Sequence, residues 1–343
     1  MIKHFLTTED WSQQDLHEIL DVAGYLKQHP LQNHLQGKSI ALLFLNPSMR
    51  TRTSFELGMQ QLGGMAIVLQ PGKDAWGIEF EPHQIMDGDA EEHIIEVAGV
   101  LSSYVDMIGI RAFPAFQDWS FDRQDQTIKA LAAHASVPVI NMETIVHPCQ
   151  ELALMMTIKN HLKTPKKKKF LLTWTYHPKP LNTAVANSGL LISSKFGMDV
   201  TLLCPNEHYL LDQRYLAAAH AQCQAHGAKF EVTHDIEQAY AGADFVYAKS
   251  WGALPFYGDP AAEFKQRKAY QHFIVDGQKM ALTNHAKFSH CLPLRRNVKA
   301  TDEVMDADYC VALEEAENRL HVQKAMMLNL MNQDVMNLTS QNN

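Results

Sequence analysis

Six consecutive residues, Ser48-Met49-Arg50-Thr51-Arg52-Thr53, present three hydroxyls and two guanidiniums. Arginine offers planar, bidentate, permanently charged donors, so this density suits an oxyanion, above all a phosphate. The flanks say where the group sits. Ser39-Ile40-Ala41-Leu42-Leu43-Phe44-Leu45 is a short apolar run bounded like a buried strand, and Asn46-Pro47 breaks it. Phe55, Met59 and Leu62 then recur at helical spacing until Gly63-Gly64 stops the helix. The cluster falls where a strand ends and a helix begins, where free backbone N–H groups meet the positive end of a helix dipole. Ser-x-Arg alone would read as a solvated turn with a serine N-cap; the density of donors favours an anion site.

Two further groups carry chemistry. Arg111 and His147, each beyond an apolar run, can both point at a polarised carbonyl oxygen. The elements that must position them repeat one pattern. Leu16, Ile19, Leu20, Ala23 and Leu26 make an opening helix. Met65–Leu69 is a strand that completes a βαβ unit. Gln70 to Asp87 is a long polar loop holding Trp76. Asp89, with Glu92 three residues on, reads as an N-cap and capping-box partner for a helix striped by Ile94, Ile95, Val97, Val100 and Leu101. Strands follow at Val105–Ile110, with Arg111 at its carboxyl end, and at Val137–Asn141, before Glu143 and His147-Pro148-Cys149-Gln150. Polar residues gathered after strands imply a doubly wound parallel sheet with its ligand outside the carboxyl ends.

A helix from Gln150 to Leu162 leads out of this domain, and a second βα series follows. Its strands are expected at Phe170–Trp174, Val200–Leu203, Phe230–Thr233, Phe245–Ala248 and Phe288–Leu292. A last helix over Glu315–Met331 is expected to return to the first domain, followed by a frayed polar tail. The expected division is 1–150, 151–315 and the returning 316–343: an α/β fold of two doubly wound domains joined by long helices.

The 343 residues suffice for two domains of ordinary size. A net charge of −8 argues against a nucleic-acid partner, and no apolar run is long enough to span a membrane. The five cysteines are scattered, without a Cys-x-x-Cys pair, and read as reduced cytosolic thiols. The 18 histidines show no metal-ligand spacing, so no metal is expected.

Ser48-Met49-Arg50-Thr51-Arg52 resembles the Ser-x-Arg-Thr-Arg carbamoyl-phosphate motif of the aspartate and ornithine transcarbamoylases, and matches span nearly the whole chain. His147-Pro148-Cys149-Gln150 resembles the His-Pro-x-Gln motif of that family, and His290-Cys291-Leu292-Pro293 its ornithine-type His-Cys-Leu-Pro. The resemblance implies that Ser48, the Met49 backbone, Arg50, Thr51 and Arg319 hold carbamoyl phosphate, and that Arg111 and His147 stabilise the oxyanion. It implies that Gln150, Cys291 and Leu292 orient the carbamoyl amide. Without it, Cys291 would read as a buried strand thiol and Arg319 as a surface helix residue. The family is built on trimers in which a neighbour's loop closes each site, so Trp76 is expected to reach across an interface. No organic cofactor is implied.

The departures point within the family. Lys249-Ser250-Trp251 replaces the acidic residue that pairs with ornithine's α-ammonium, and Gly252-Ala253-Leu254-Pro255 replaces its Ser-Met-Gly loop. A lysine repels an α-ammonium and suits an α-carboxylate beside an acylated amine. Leu294-Arg295-Arg296-Asn297-Val298-Lys299 adds three cations, which also fit a carboxylate or plain solvation. Thr173–Asn182 resembles the same acetylornithine branch. That branch transfers the carbamoyl group to the side-chain amine of N-acetyl-L-ornithine in arginine biosynthesis, in the cytoplasm, giving N-acetyl-L-citrulline and phosphate. Glu143, Asn182, Lys249 and Arg295 are candidates for the amino-acid side. In this branch the loop lysine matching Lys299 is carboxylated; by itself Lys299 reads as a solvated ammonium. The position of Glu91 distinguishes acetyl substrates (Glu) from succinyl ones (Pro), although a helix-start carboxylate also explains it. The alternatives are N-succinylornithine or ornithine as substrate. More remote are a nucleotide-dependent oxidoreductase, which lacks its Gly-x-Gly-x-x-Gly here, and a non-catalytic binding protein.

Overall fold

A computed structural model of the chain describes residues 2–81 and 83–331. The expected frayed tail lies outside the described residues. Among the described residues eleven strands run β1 Ser39–Phe44, β2 Met65–Leu69, β3 Ile78–Glu79, β4 Glu92–His93, β5 Met107–Arg111, β6 Val139–Glu143, β7 Lys169–Trp174, β8 Asp199–Leu203, β9 Phe230–Thr233, β10 Phe245–Lys249 and β11 Lys287–Ser289. They form a four-stranded sheet in the order β2-β1-β5-β6, a five-stranded sheet in the order β11-β10-β7-β8-β9, and the small pair β3-β4. Every pairing between these strands is parallel.

The chain divides into two compact units. The described residues of Met1–Pro114, Ser120–Cys149 and Asn318–Asn343 form one, and Ala115–Trp119 with Gln150–Glu317 the other. The chain passes from the first to the second inside the Pro148–Leu162 helix and back inside the Ala312–Met331 helix.

Apolar β1 is buried along nearly its whole length, as a central parallel strand covered on both faces must be. Ser48 caps the Met49–Gln61 helix, its hydroxyl accepting from the Thr51 N–H at 3.2 Å. Gly63, at φ 84°, ends that helix; its N–H donates to the Gln60 carbonyl and the Gly64 N–H to that of Met59.

Three expectations fail here. The capping box of Asp89 and Glu92 does not form. Glu92–His93 pairs as β4 with β3, which holds the backbone extended, so the helix starts at Ile94 with His93 as its N-cap. Glu91 therefore precedes a strand and is exposed, outside the first turn of any helix. The strand expected over Phe288–Leu292 ends at Ser289, and Leu292 lies at φ 52°, outside the extended backbone a strand needs. Cys291 is a buried loop thiol, not a strand residue. The Ala312–Met331 helix also begins three residues ahead of the expected Glu315.

Candidate active site

In the first unit, three strand ends supply polar groups. Beyond β1 lies the capped turn. Met49 is exposed at its side chain, and Thr51 is buried, its hydroxyl accepting from the Arg319 guanidinium at 3.0 Å. Arg52 turns to the surface and pairs with Glu56 one helical turn on. The end of β5 carries Arg111, which donates to the Glu143 carboxylate at the end of β6 and lies 4.6 Å over the Phe113 ring. Glu143 owes its aim to a bulge. The β5–β6 register skips Met142, and Glu143 sits at φ 150° with its N–H donating to the Asn141 side chain at 2.9 Å. Buried Asn141 in turn donates to the Leu6 carbonyl and the Thr144 hydroxyl. His147 Nε2 stands 3.5 Å from the same Glu143 carboxylate.

Arg319 is 3 % exposed, not a surface residue, since its half of the last helix packs within the first unit. Lys324 fixes that packing. Its ammonium donates to the Pro30 carbonyl at 2.8 Å and to Gln61 Oε1 at 2.9 Å. Burial lowers the pKa of Arg319; Cys149 and Glu143 oppose that shift, and Arg111 and Arg50 reinforce it. Three guanidiniums thus share an electrostatic neighbourhood with the carboxylate of Glu143, an excess of positive charge that an added anion would relieve.

The second unit gathers a different set. Gln150 and Glu315 are buried and hydrogen-bonded to each other. Lys249 ends β10 in a framework built by Arg267. That buried guanidinium pairs with Glu263 and donates to the Trp251 carbonyl at 2.7 Å and the His177 carbonyl at 3.2 Å. Ser250 donates to the Thr175 carbonyl at 2.6 Å, and Thr175 to that of Lys299 at 2.8 Å. Asn182 is buried, its side-chain oxygen accepting from the Ala184 N–H.

Lys299 is not a solvated ammonium: it is 2 % exposed, and its pKa falls to about 7. Burial is the largest cause, then Lys249, with Arg295 and Arg267 adding and Cys291 opposing. His177 is likewise pushed down to about 4 by burial and by the charges of Lys299, Arg295 and Arg267. Of the loop's other cations, Arg295 is exposed, and Arg296 is bound by Asp302 and Asp306. His290 Nδ1 accepts from the Leu292 N–H at 2.9 Å, while its Nε2 lies 3.3 Å from Lys299 Nζ.

Trp76 and Glu91 stand apart from both sets. Trp76 is 68 % exposed and lines an apolar groove of the first unit with Leu69, Ile78 and Val97. Sequence reasoning missed Glu315 and Arg267 as site-forming residues, and gave His290, quoted within its motif, no role of its own. Glu315 is one of two acids in the first turn of the last helix, and only its burial marks it.

Residues 3–160 match the model of the aspartate/ornithine carbamoyltransferase carbamoyl-P binding domain, and residues 180–330 that of the Asp/Orn binding domain. The chain belongs to the aspartate/ornithine carbamoyltransferase family. Among members of this carbamoyltransferase family, it is 63 % identical over 334 residues to the N-acetylornithine carbamoyltransferase of Xanthomonas campestris pv. campestris, covering 97 % of this chain and 98 % of the relative. It is 35 % identical over 285 residues to the N-succinylornithine carbamoyltransferase of Bacteroides thetaiotaomicron, covering 83 % and 84 %. A crystal structure of acetylornithine transcarbamylase complexed with acetylcitrulline matches with a TM-score of 0.95 and 63 % identity, over 96 % of this chain and 99 % of that one. A variant of the transcarbamylase with one glutamate replaced by proline was solved with carbamyl phosphate and N-succinyl-L-norvaline.

Proposed function

We propose that the chain transfers the carbamoyl group of carbamoyl phosphate to the side-chain amine of N-acetyl-L-ornithine, giving N-acetyl-L-citrulline and phosphate, a step of arginine biosynthesis. The observation that carries this reading is the 63 % identity over 97 % of the chain to the acetylornithine enzyme, against 35 % over 83 % for the succinylornithine one. The geometry supports its chemistry. The neutral amine attacks the carbamoyl carbon, the bond from that carbon to the phosphate oxygen breaks, and the proton lost by the amine ends on the phosphate. Ser48, the Met49 N–H, Arg50, Thr51 and Arg319 hold the phosphate at the helix N-terminus. Arg111 and His147 face the oxygen on which negative charge develops. Gln150, Cys291 and the Leu292 carbonyl orient the amide. Glu143, Asn182, Lys249 and Arg295 serve the amino acid, whose carboxylate suits the basic neighbourhood of Lys249 and Arg295. Glu91 excludes a succinyl carboxylate by repulsion and admits an acetyl methyl. Stoichiometric release of phosphate and N-acetylcitrulline, followed by mass spectrometry, tests the reaction; phosphate release without the ureido product refutes it.

The same reading gives Lys299 a carbamate. With Nδ1 of His290 accepting from the Leu292 N–H, the neutral imidazole carries its proton on Nε2. Lys299 Nζ must then accept, which only an uncharged amine can do. Such an amine adds carbon dioxide and loses a proton, and the carbamate oxygen accepts the same Nε2–H. A carbonyl signal from ¹³C-bicarbonate that disappears in Lys299→Met supports this; its persistence in the variant refutes it. The exposed Trp76 and its apolar groove fit a homotrimer in which Trp76 completes a neighbour's site; a cytoplasmic place goes with the same proposed reading. Among the described residues no helix is long and apolar enough to cross a membrane.

A further inference from the structure

Within the first unit the last helix lies close against the Met49–Gln61 helix. A Cβ added at Gly58 would stand 3.2 Å from Lys324 Cγ and 3.2 Å from Met327 Cε. Arg319 and Gln323 are one turn apart on the last helix, and both reach the start of the Met49–Gln61 helix, Arg319 at Thr51 and Gln323 at Ser54.

Gln323 is completely buried, and its amide closes a ring of hydrogen bonds with Arg319, Thr51 and Ser54. The Ser54 hydroxyl donates its one proton to the Thr51 carbonyl at 3.2 Å, so toward the Gln323 amide, 2.6 Å away, it can only accept. The Gln323 NH₂ therefore turns to Ser54 and the amide oxygen to the guanidinium, where it accepts from Arg319 Nη2 at 3.0 Å and from Nε at 3.3 Å. Arg319 Nη2 also donates to the Thr51 hydroxyl at 3.0 Å.

A carboxylate has the shape of this amide and would grip a guanidinium more strongly, because both partners would be ionised. It would also cancel the charge. Both of the acceptors named here, the Gln323 amide and the Thr51 hydroxyl, are neutral. They fix the guanidinium without adding negative charge to a neighbourhood where Arg50, Arg111 and Arg319 outnumber Glu143.

We infer that Gln323 is a positioning residue that holds Arg319 at the phosphate turn with a neutral acceptor, so that the turn keeps its excess of positive charge for the phosphate. This inference rests on the carbamoyl-phosphate reading above and deepens it by naming a residue that acts through Arg319.

The experiment measures the inhibition constant of inorganic phosphate competing with carbamoyl phosphate, the KM of carbamoyl phosphate and the thermal unfolding midpoint in wild type, Gln323→Glu and Gln323→Met. Gln323→Glu keeps the shape and the grip on Arg319 but adds a negative charge. Its phosphate inhibition constant and carbamoyl phosphate KM are expected to rise about tenfold, the effect of one charge about 10 Å away at an effective dielectric near 20, with the midpoint at or above the wild-type value. Gln323→Met removes the acceptor and adds no charge; its two constants are expected to rise about fivefold, the worth of one hydrogen bond, with a lower midpoint. A merely structural role predicts that Gln323→Glu, which keeps the bonds to Arg319, also keeps both constants. Unchanged constants in folded Gln323→Glu therefore overturn the positioning role and leave the carbamoyl reading intact. If Gln323→Glu is recovered unfolded, unchanged constants in Gln323→Met overturn it in the same way. Wild-type protein that does not turn over carbamoyl phosphate overturns the reading and the inference together.

Discussion

The two units meet charge in different ways. The first holds arginines on regular elements: Arg50 on a capped helix, Arg111 at a strand end, Arg319 on the last helix. Its carboxylate, Glu143, pairs with Arg111. The second relies on Lys249, Arg295 and Lys299 in and beside loops, with a histidine and a lysine driven toward neutrality. Guanidiniums stay charged when buried; an amine gives up its proton. The first unit is thus suited to a permanent anion, and the second to a carboxylate together with chemistry that needs an uncharged nitrogen.

The sharpest way to break this comparison is Arg111→Met. On the proposed role it removes an oxyanion donor, with an expected loss of about a hundred- to a thousandfold in kcat. It also leaves Glu143 buried without its cation, a cost of about 3–5 kcal/mol in a denaturant titration. Arg50→Ala is milder. Arg50 is only partly buried, so the fold should hold while the KM for carbamoyl phosphate rises about 10- to 150-fold, equivalent to one charge-assisted contact of about 1.5–3 kcal/mol. Unchanged steady-state kinetics would remove this turn from the site.

In the second unit the matching test is pH. The folded pKa of Lys299 is near 7, below the 10.5 of an exposed lysine. Between those values the unfolded chain binds the extra proton, so stability rises with pH across that window and the penalty is full below about 7. In protein kept free of carbon dioxide, where Lys299 is the amine, Lys299→Met should flatten that rise in thermal unfolding between pH 7 and 10; an identical slope in the variant contradicts the buried neutral amine. The smallest effect belongs to Arg296→Ala. This side chain is spent on Asp302 and Asp306 at the surface, so kcat/KM should stay at the wild-type value, whereas Arg295→Ala should raise the KM of the amino acid.

The same contrast explains what could be read from sequence. The strands and helices that aim Ser48, Arg111 and His147 are visible because apolar periodicity and the breakers Asn46-Pro47 and Gly63-Gly64 act locally. The bulge that turns Glu143 toward Arg111 is not visible, since it depends on register with a neighbouring strand. Asp89 and Glu92 carry the residues of a capping box, but pairing with Ile78–Glu79 overrides them. Lys299 by itself reads as a solvated ammonium; burial sets its charge state, and no local pattern records that burial.

The central claim is that this chain acts on the free side-chain amine of an N-acetylated substrate. Specificity constants for N-acetyl-L-ornithine, N-succinyl-L-ornithine and L-ornithine, each at saturating carbamoyl phosphate, test it most directly. A carboxylate about 4 Å from Glu91 costs about 1 kcal/mol in water and about 4 kcal/mol at an effective dielectric near 20, so the acetyl substrate should lead the succinyl one by about five- to a thousandfold. L-Ornithine, whose α-ammonium would meet Lys249 on the proposed reading, should trail both, and Glu91→Pro should narrow the first gap. Equal use of the acetyl and succinyl substrates, or a faster reaction with L-ornithine, would contradict the account.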